Sequence, residues 1–250
     1  MASHSAESWP QFPQPQDATA QVWRYMDLPR LISLLSRHEL ILPRVDLMVD
    51  PFEGSIPPNL LKHADSGADA DGPIARLRAH LRRGVYISSW HENRRESEAM
   101  WRLYCGSAEG VALSTTYAKL CAALETHPNT VIGRVTYIDY DSDSARCPNM
   151  QHSLAHPLAP FMTKRASFEH EREIRVLHWQ ALDGGVSSHA SEPPPAVGLA
   201  WNIADAVEQV WVSPYAPRWY FDVVKEVLGH FAPDLVRCLA WSQMTADPWF

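Results

Sequence analysis

Apolar and polar positions along this chain follow two periods, one near 3.6 residues and one of 2, and the switches between them mark the elements. Leu28, Leu31, Ile32, Leu35 and His38 keep helical spacing behind Asp27, a residue type that caps helices, with Pro29 tolerated in the first turn. A second helix opens at Pro73, with Ile74, Leu77 and Leu81 on one face and Arg76, Arg78, His80, Arg82 and Arg83 over much of the rest. Further helices are expected over Glu98–Tyr104, from Thr115 or Thr116 to about Glu125, and over Trp219–Phe231. Strands are expected at Gln21–Tyr25, Leu40–Leu42, Val85–Trp90, Gly110–Ser114, Val131–Tyr140, Ile174–Trp179, Val207–Val212 and Leu235–Trp241, all rich in β-branched or aromatic residues. Asp50-Pro51 signals a turn, His91–Glu96 reads as a polar loop, and longer loops are expected over 54–72, 141–160 and 183–195, the second long enough to suggest a lid or a disordered connection.

This pattern predicts an α+β fold: a single mixed, mainly antiparallel central sheet flanked by helices, with a C-terminal strand–helix–strand unit. Residues 1–20 are Ser-, Gln- and Pro-rich and read as a disordered tail, leaving 21–250 as one α+β domain.

Ionisable chemistry concentrates in Phe161–Trp179, where Glu169, Glu171 and Glu173 stand beside Lys164, Arg165, Arg172 and Arg175. In an extended chain Glu169, Glu171, Glu173 and Arg175 share one face, because side chains alternate. In a helix, Glu169 instead meets Arg172 and Glu171 meets Arg175 as surface ion pairs worth about 0.2–0.5 kcal/mol each. A solvated face and a working site both remain open from the sequence.

Composition narrows the classes. With 250 residues and 46% hydrophobic content the chain can bury a full core. A net charge of −7 argues against a dedicated nucleic-acid binder. Cys105, Cys121, Cys147 and Cys238 lie too far apart in sequence for a CxxC or zinc-ligand pattern and read as reduced thiols. No apolar run approaches the ~20 residues of a membrane helix, and the N-terminus lacks the basic and apolar regions of a secretory signal. A soluble cytoplasmic protein without membrane partners is the expectation.

The dinucleotide, P-loop, zincin and hydrolase-elbow signatures are absent. His91-Glu92-Asn93 lacks the second His of a metal box and reads as a polar loop. Asp50, Glu53 and the Glu169–Glu173 row could supply oxygens to a hard cation, though no spacing demands one. A more specific constellation runs Arg24, then Ser88-Ser89-Trp90, then Glu171-Arg172-Glu173. Breaking a ribosyl–nicotinamide bond calls for a guanidinium on phosphate oxygens, hydroxyl and aromatic surface for the nicotinamide ribose, and a carboxylate against an oxocarbenium-like transition state.

The blocks Trp23-Arg24-Tyr25, Asp50-Pro51-Phe52-Glu53, Ser88–Trp90, Met100-Trp101-Arg102-Leu103-Tyr104, Gly110-Val111-Ala112-Leu113 and Phe168–Arg175 resemble a widespread bacterial family of unknown function, DUF2971, over roughly Gln21–Gln243. Val49 stands where that family usually has Asn before its Asp-Pro-Phe-Glu block. The order Arg, Ser, Glu-x-Glu also resembles the distant ADP-ribosyltransferase pattern. That resemblance implies Glu173 as catalytic carboxylate, Glu171 as the residue selecting the acceptor, Arg24 for phosphate or nicotinamide-ribose contacts and Ser88 as support. It places Tyr25, Ser89, Trp90, Trp101 and Tyr104 near an NAD substrate, although side chains such as Trp101 and Tyr104 are more often core than ring-stacking. Ser-Ser-Trp replaces the usual Ser-Thr-Ser, and Arg172 sits between the glutamates.

Three functions compete at this point. The first is an NAD-consuming ADP-ribosyltransferase or NAD glycohydrolase acting as a toxin or phage-defence effector, with NAD as substrate, an undefined macromolecular acceptor and no metal. The second is a carboxylate-based metal-dependent hydrolase or nuclease using Asp50, Glu53 and Glu169 or Glu171. The third is a non-catalytic binding module.

Overall fold

The computed structural model describes residues 12–55, 73–106, 108–140, 157–180 and 192–246. The expected loop 54–72 and lid 141–160 lie for the most part outside the described residues, as do Cys147 and most of 183–195.

Seven described strands form one mixed sheet, built around β1 (Gln21–Asp27). β1 runs antiparallel to β4 (Gly110–Thr116) over its whole length, from Gln21↔Thr116 to Asp27↔Gly110. On its other side lies β3 (Val85–Glu92), antiparallel with Trp23 opposite His91. β10 (Gln209–Val212) adds antiparallel to β4, and β11 (Leu239–Trp241) pairs parallel with β10. The full order is β11-β10-β4-β1-β3-β8-β5, with β8 spanning Glu173–Trp179 and β5 spanning Thr130–Arg134. Two smaller sheets pair β2 (Glu39–Pro43) with β9 (Ala196–Ala200), and β6 (Thr136–Ile138) in parallel with β7 (Thr163–Arg165). The mixed, mainly antiparallel sheet expected from the sequence is therefore present.

The helices form where caps and periodicity demand them. Asp27 caps α1 (Leu28–Arg37) by accepting a hydrogen bond from the Arg30 N–H. Leu31, Leu34 and Leu35 are its buried face, while His38 is exposed beyond the helix end in a left-handed conformation rather than joining the stripe. α2 spans Pro73–Gly84, and its side chains over 73–78 lie outside the described residues. Ser97 caps α3 (Glu98–Cys105), and Thr116 caps α4 (Tyr117–Leu124). After the short α5 (Ile203–Ala206), α6 (Arg218–Phe231) links β10 to β11 and buries Tyr220, Val224 and Leu228. The expected strand–helix–strand unit is present, and its strands are parallel. Among the described residues no helix is long and apolar enough to cross a membrane.

Three expectations need correction. Val131–Tyr140 is not one strand: β5 ends at Arg134, the Val135 N–H donates to the Glu173 carbonyl, and β6 starts in another sheet. Leu235–Trp241 is strand only over its last three residues, because Pro233–Cys238 coils into 3-10 turns. β3 runs on through His91 and Glu92, which the polarity of that segment had suggested was a loop.

The chain gathers into two compact units, one of Met1–Gln14, Pro43–Ser88 and Val131–Ala196, the other of Pro15–Leu42, Ser89–Thr130 and Val197–Phe250. The first has an apolar cluster of Phe12, Val45, Val85, Ile87, Phe161 and Leu177, so the segment read as a tail is docked from Phe12 onward. The second packs Trp23, Tyr25, Met100, Trp101, Cys105 and Ala112, with Trp211 against them.

Candidate functional site

The first unit holds a buried charge network. Glu173 and Arg175 stand two apart on β8 and so project to one face, as alternation requires. The Arg175 guanidinium grips both Glu173 oxygens, through Nε at 2.6 Å and Nη2 at 2.9 Å. It also grips both oxygens of Glu53, through Nη1 at 2.9 Å and Nη2 at 3.2 Å, and donates from Nη1 to the Phe161 carbonyl at 2.6 Å. All three guanidinium nitrogens are thus engaged in planar, forked contacts that a lysine could not make. Arg175 is 0% exposed, Glu173 2% and Glu53 3%.

Lys164 completes the group. Its Nζ lies 2.5 Å from Glu171 and 3.5 Å from both Glu53 and Glu173. β6 and β7 align Tyr137 opposite Lys164, and the Tyr137 hydroxyl accepts from the Glu173 N–H at 2.8 Å. Burial pushes the Lys164 pKa down, but Glu173, Glu171 and Glu53 together outweigh it and leave the ammonium harder to deprotonate than usual. For Arg175, burial likewise opposes and Glu173 and Glu53 overcome it, so the guanidinium stays charged. Burial, with the nearby Glu173 and Glu171 charges, raises the Tyr137 hydroxyl and keeps it neutral.

Two features of the backbone bring the network together. Glu53 precedes Gly54, whose φ of 73° and contact with the Phe161 ring leave no room for a Cβ. Ala166–Glu171 coils into 3-10 turns and Arg172 follows at φ 40°. That kink directs both Glu171 and Glu173 inward while Arg172 and Glu169 remain exposed. Neither sequence reading of this segment holds whole: the shared face is right for Glu173 and Arg175 and wrong for Glu169. The segment is also no surface helix.

The rim has a different character. Arg165 pairs with Asp50 at 3.2 Å and lies over the Phe52 ring at 4.3 Å and the Phe168 ring at 5.2 Å. Phe168 also covers the Lys164 Nζ at 4.7 Å. The Arg165 Nε is buried and has no hydrogen-bond acceptor among the described residues. Exposure rises from 0% at Arg175 to 8% at Glu171 and 9% at Lys164, so the Lys164–Glu171 pair is the least covered part of the network.

The remaining sequence candidates have other surroundings. Ser88 is buried on β3, and Ser89 beside it is half-buried. In the second unit Arg24 sits over the Trp90 ring at 5.8 Å and donates weakly to the Ile41 carbonyl at 3.4 Å. Burial, and the charge of Arg30, lower its pKa to about 10, which leaves it charged at neutral pH. Tyr25 accepts from the Ser97 N–H and meets Trp101 edge-on at 4.9 Å. Trp101 is 1% exposed and donates to Glu96, which makes it core, whereas Tyr104 is on the surface and the core reading fails for it. His91 is buried on β3, not in a loop.

For the metal reading, Asp50 is paired with Arg165, Glu53 with Arg175, and Glu169 is exposed. Among the described residues no group of three His, Cys, Asp or Glu side chains is placed to hold a metal ion. Sequence reasoning set Lys164 in the same stretch as the glutamates and grouped Glu53 with them only as a cation ligand; the ion pairs of Glu53 with Arg175 and of Lys164 with all three carboxylates were not anticipated. The Asp-Pro-Phe-Glu block was the one available signal for Glu53.

Residues 100–176 match the model of a family described as "Protein of unknown function (DUF2971)". The matched stretch contains the Met-Trp block of α3, β4 and the Glu-x-Glu-x-Arg motif through Arg175, and so includes four of the five network residues, all but Glu53. The resemblance seen in the sequence is shown over that stretch; Trp23–Tyr25, Asp50–Glu53 and Ser88–Trp90 lie outside it. A comparison with curated proteins finds no match.

Proposed function

We propose that this protein is an NAD-consuming enzyme, an ADP-ribosyltransferase or NAD glycohydrolase, in which Glu171 rather than Glu173 is the working carboxylate. The observation that carries the reading is the division within the charge network. Both Glu173 oxygens are held by Arg175, and Glu173 is 2% exposed, which suits an anchor. Glu171 lies at the rim against Lys164, beside an Arg165 Nε that lacks an acceptor among the described residues.

In such a reaction the bond between the ribose C1 and the nicotinamide nitrogen breaks, and its electrons leave with nicotinamide. Positive charge develops on the ribose, where a fixed carboxylate stabilises it, and water or an acceptor nucleophile then bonds to C1. Arg165 is suited to the pyrophosphate oxygens, since a guanidinium meets them in a fork. An enzyme of this kind would act as a toxin or defence effector by depleting NAD or modifying a macromolecule.

The test is release of nicotinamide from labelled NAD by the full chain. Glu171→Gln is expected to lower turnover at least about 100-fold, the scale of removing one electrostatic stabiliser. Full turnover in that variant, or no consumption by the native chain with any acceptor offered, removes the reading. A second reading, a non-catalytic binding module, is favoured by the complete engagement of Arg175, since a fully paired network is also what a scaffold requires.

A further inference from the structure

The second unit carries a cavity of about 460 Å³ that the NAD reading does not use. Its lining includes Pro214, Arg218, Phe221, Asp222, Trp241 and Thr245. β10 ends at Val212 and β11 at Trp241, and the two strands are parallel. Pro214 and Ala216 follow the first strand and Thr245 follows the second, so the cavity opens at the carboxyl ends of both. In sheets with helical crossovers that is where ligands are accommodated, because the loops there are free to vary while the strands hold them in place.

The lining specifies the chemistry. The Phe221 and Trp241 rings stack on each other at 5.3 Å and 21°, and both line the cavity, giving it an aromatic side against which a planar ring can pack. Arg218 and Asp222 are both exposed, one helical turn apart, and have no hydrogen-bond or ion-pair partner among the described residues. Pro217, which precedes α6, gives no side-chain cap to the helix start. A cation and an anion lining one cavity beside an aromatic pair do not suit a bare inorganic anion, which Asp222 would repel. They fit a molecule with a phosphate at one end and hydroxyl or amino donors at the other. The volume lies within the range of small-molecule sites, about 300–1,000 Å³.

We propose that this cavity binds a nucleoside phosphate, with its ring on Phe221 and Trp241, its phosphate on Arg218 and a ribose hydroxyl or ring amine on Asp222. The inference does not rest on Glu171 or on NAD turnover. The experiment is calorimetric titration of the full chain with adenosine monophosphate, adenosine and inorganic phosphate in parallel. The monophosphate should bind saturably and more tightly than either fragment. Arg218→Gln should weaken the monophosphate at least tenfold and leave adenosine unchanged, and Phe221→Leu should weaken both while the melting temperature holds. Asp222→Asn should weaken adenosine and the monophosphate alike. Glu171→Gln should leave this binding unchanged. No saturable binding at millimolar nucleotide, equal binding by phosphate alone, or insensitivity to Arg218→Gln overturns the proposal. Loss of binding in Glu171→Gln would place the nucleotide in the first unit and overturn it as well.

Discussion

The two units are held by opposite means. The first buries three carboxylates, a lysine and an arginine among its apolar residues, with Arg175 at 0% exposure. The second packs aromatic rings: Trp23 on Tyr25 at 6.3 Å, Tyr25 on Trp101 at 4.9 Å and Trp23 on Trp211 at 5.7 Å. Some of its polar tips are satisfied within the unit, as by Trp23 Nε1 to the Asn93 carbonyl and Trp101 Nε1 to Glu96, while the buried Trp90 Nε1 and Trp201 Nε1 meet no acceptor among the described residues. An aromatic core gains free energy in proportion to buried area, roughly 4–6 kcal/mol gross per large ring before entropy is counted. A buried ion network gains little net stability over an apolar equivalent of the same shape. It is costly to break and fixes the orientation of each member. Stability alone does not call for the first solution; fixed orientation does, whether for a scaffold or for a reacting group, and that is the physical reason for seeking chemistry there.

The comparison is broken most forcefully at Arg175. Arg175→Leu leaves Glu53 and Glu173 with only the Lys164 ammonium, 3.5 Å from each, and strips both of their forked partner, so the protein should lose about 3–5 kcal/mol in denaturant unfolding. Were the loss under about 1 kcal/mol, the network would be relaxed and water-filled. In the second unit, Trp101→Phe removes the donor to Glu96 and part of the ring, with an expected loss of about 1–3 kcal/mol in the same assay.

Alkaline titration gives a smaller effect and separates the units by window. Burial pushes the Cys105 thiol up to about 12. Its folded pKa thus lies above the unfolded value of about 8.5, so its contribution is intact below that pH and is lost as pH rises toward 12. Lys164 is also raised, from an unfolded value near 10.4, so its contribution is lost only above about that pH. Melting temperatures should begin to fall near pH 9, and Cys105→Ala should flatten the fall up to about pH 10. An unchanged slope in that variant would mean the thiol is not shielded.

Much of this was legible in the chain itself. β1, β3, β4 and β8 follow their β-branched and aromatic runs, and the Asp27, Ser97 and Thr116 caps lie at the helix starts. The break between β5 and β6 was not legible, because Val131–Tyr140 contains no proline and only a tertiary hydrogen bond from Val135 to Glu173 divides it. Glu171, Glu173 and Arg175 were visible as a motif. Lys164 was visible beside them, but the pairing of Glu53 with Arg175 was not, since a separation of 122 residues has no local signature. The exposure of Glu169 depends on 3-10 turns and a left-handed Arg172, which periodicity cannot anticipate for a non-glycine residue.

Everything proposed for the first unit rests on an unequal division between its two neighbouring glutamates. Thermal unfolding of Glu171→Gln and Glu173→Gln, side by side, measures that division directly. Glu173→Gln should melt about 6–12 °C below the native chain, the equivalent of ~3 kcal/mol at this size, and Glu171→Gln no more than about 4 °C below it. Equal destabilisation, or a larger loss at Glu171, would contradict the assignment of anchor and rim.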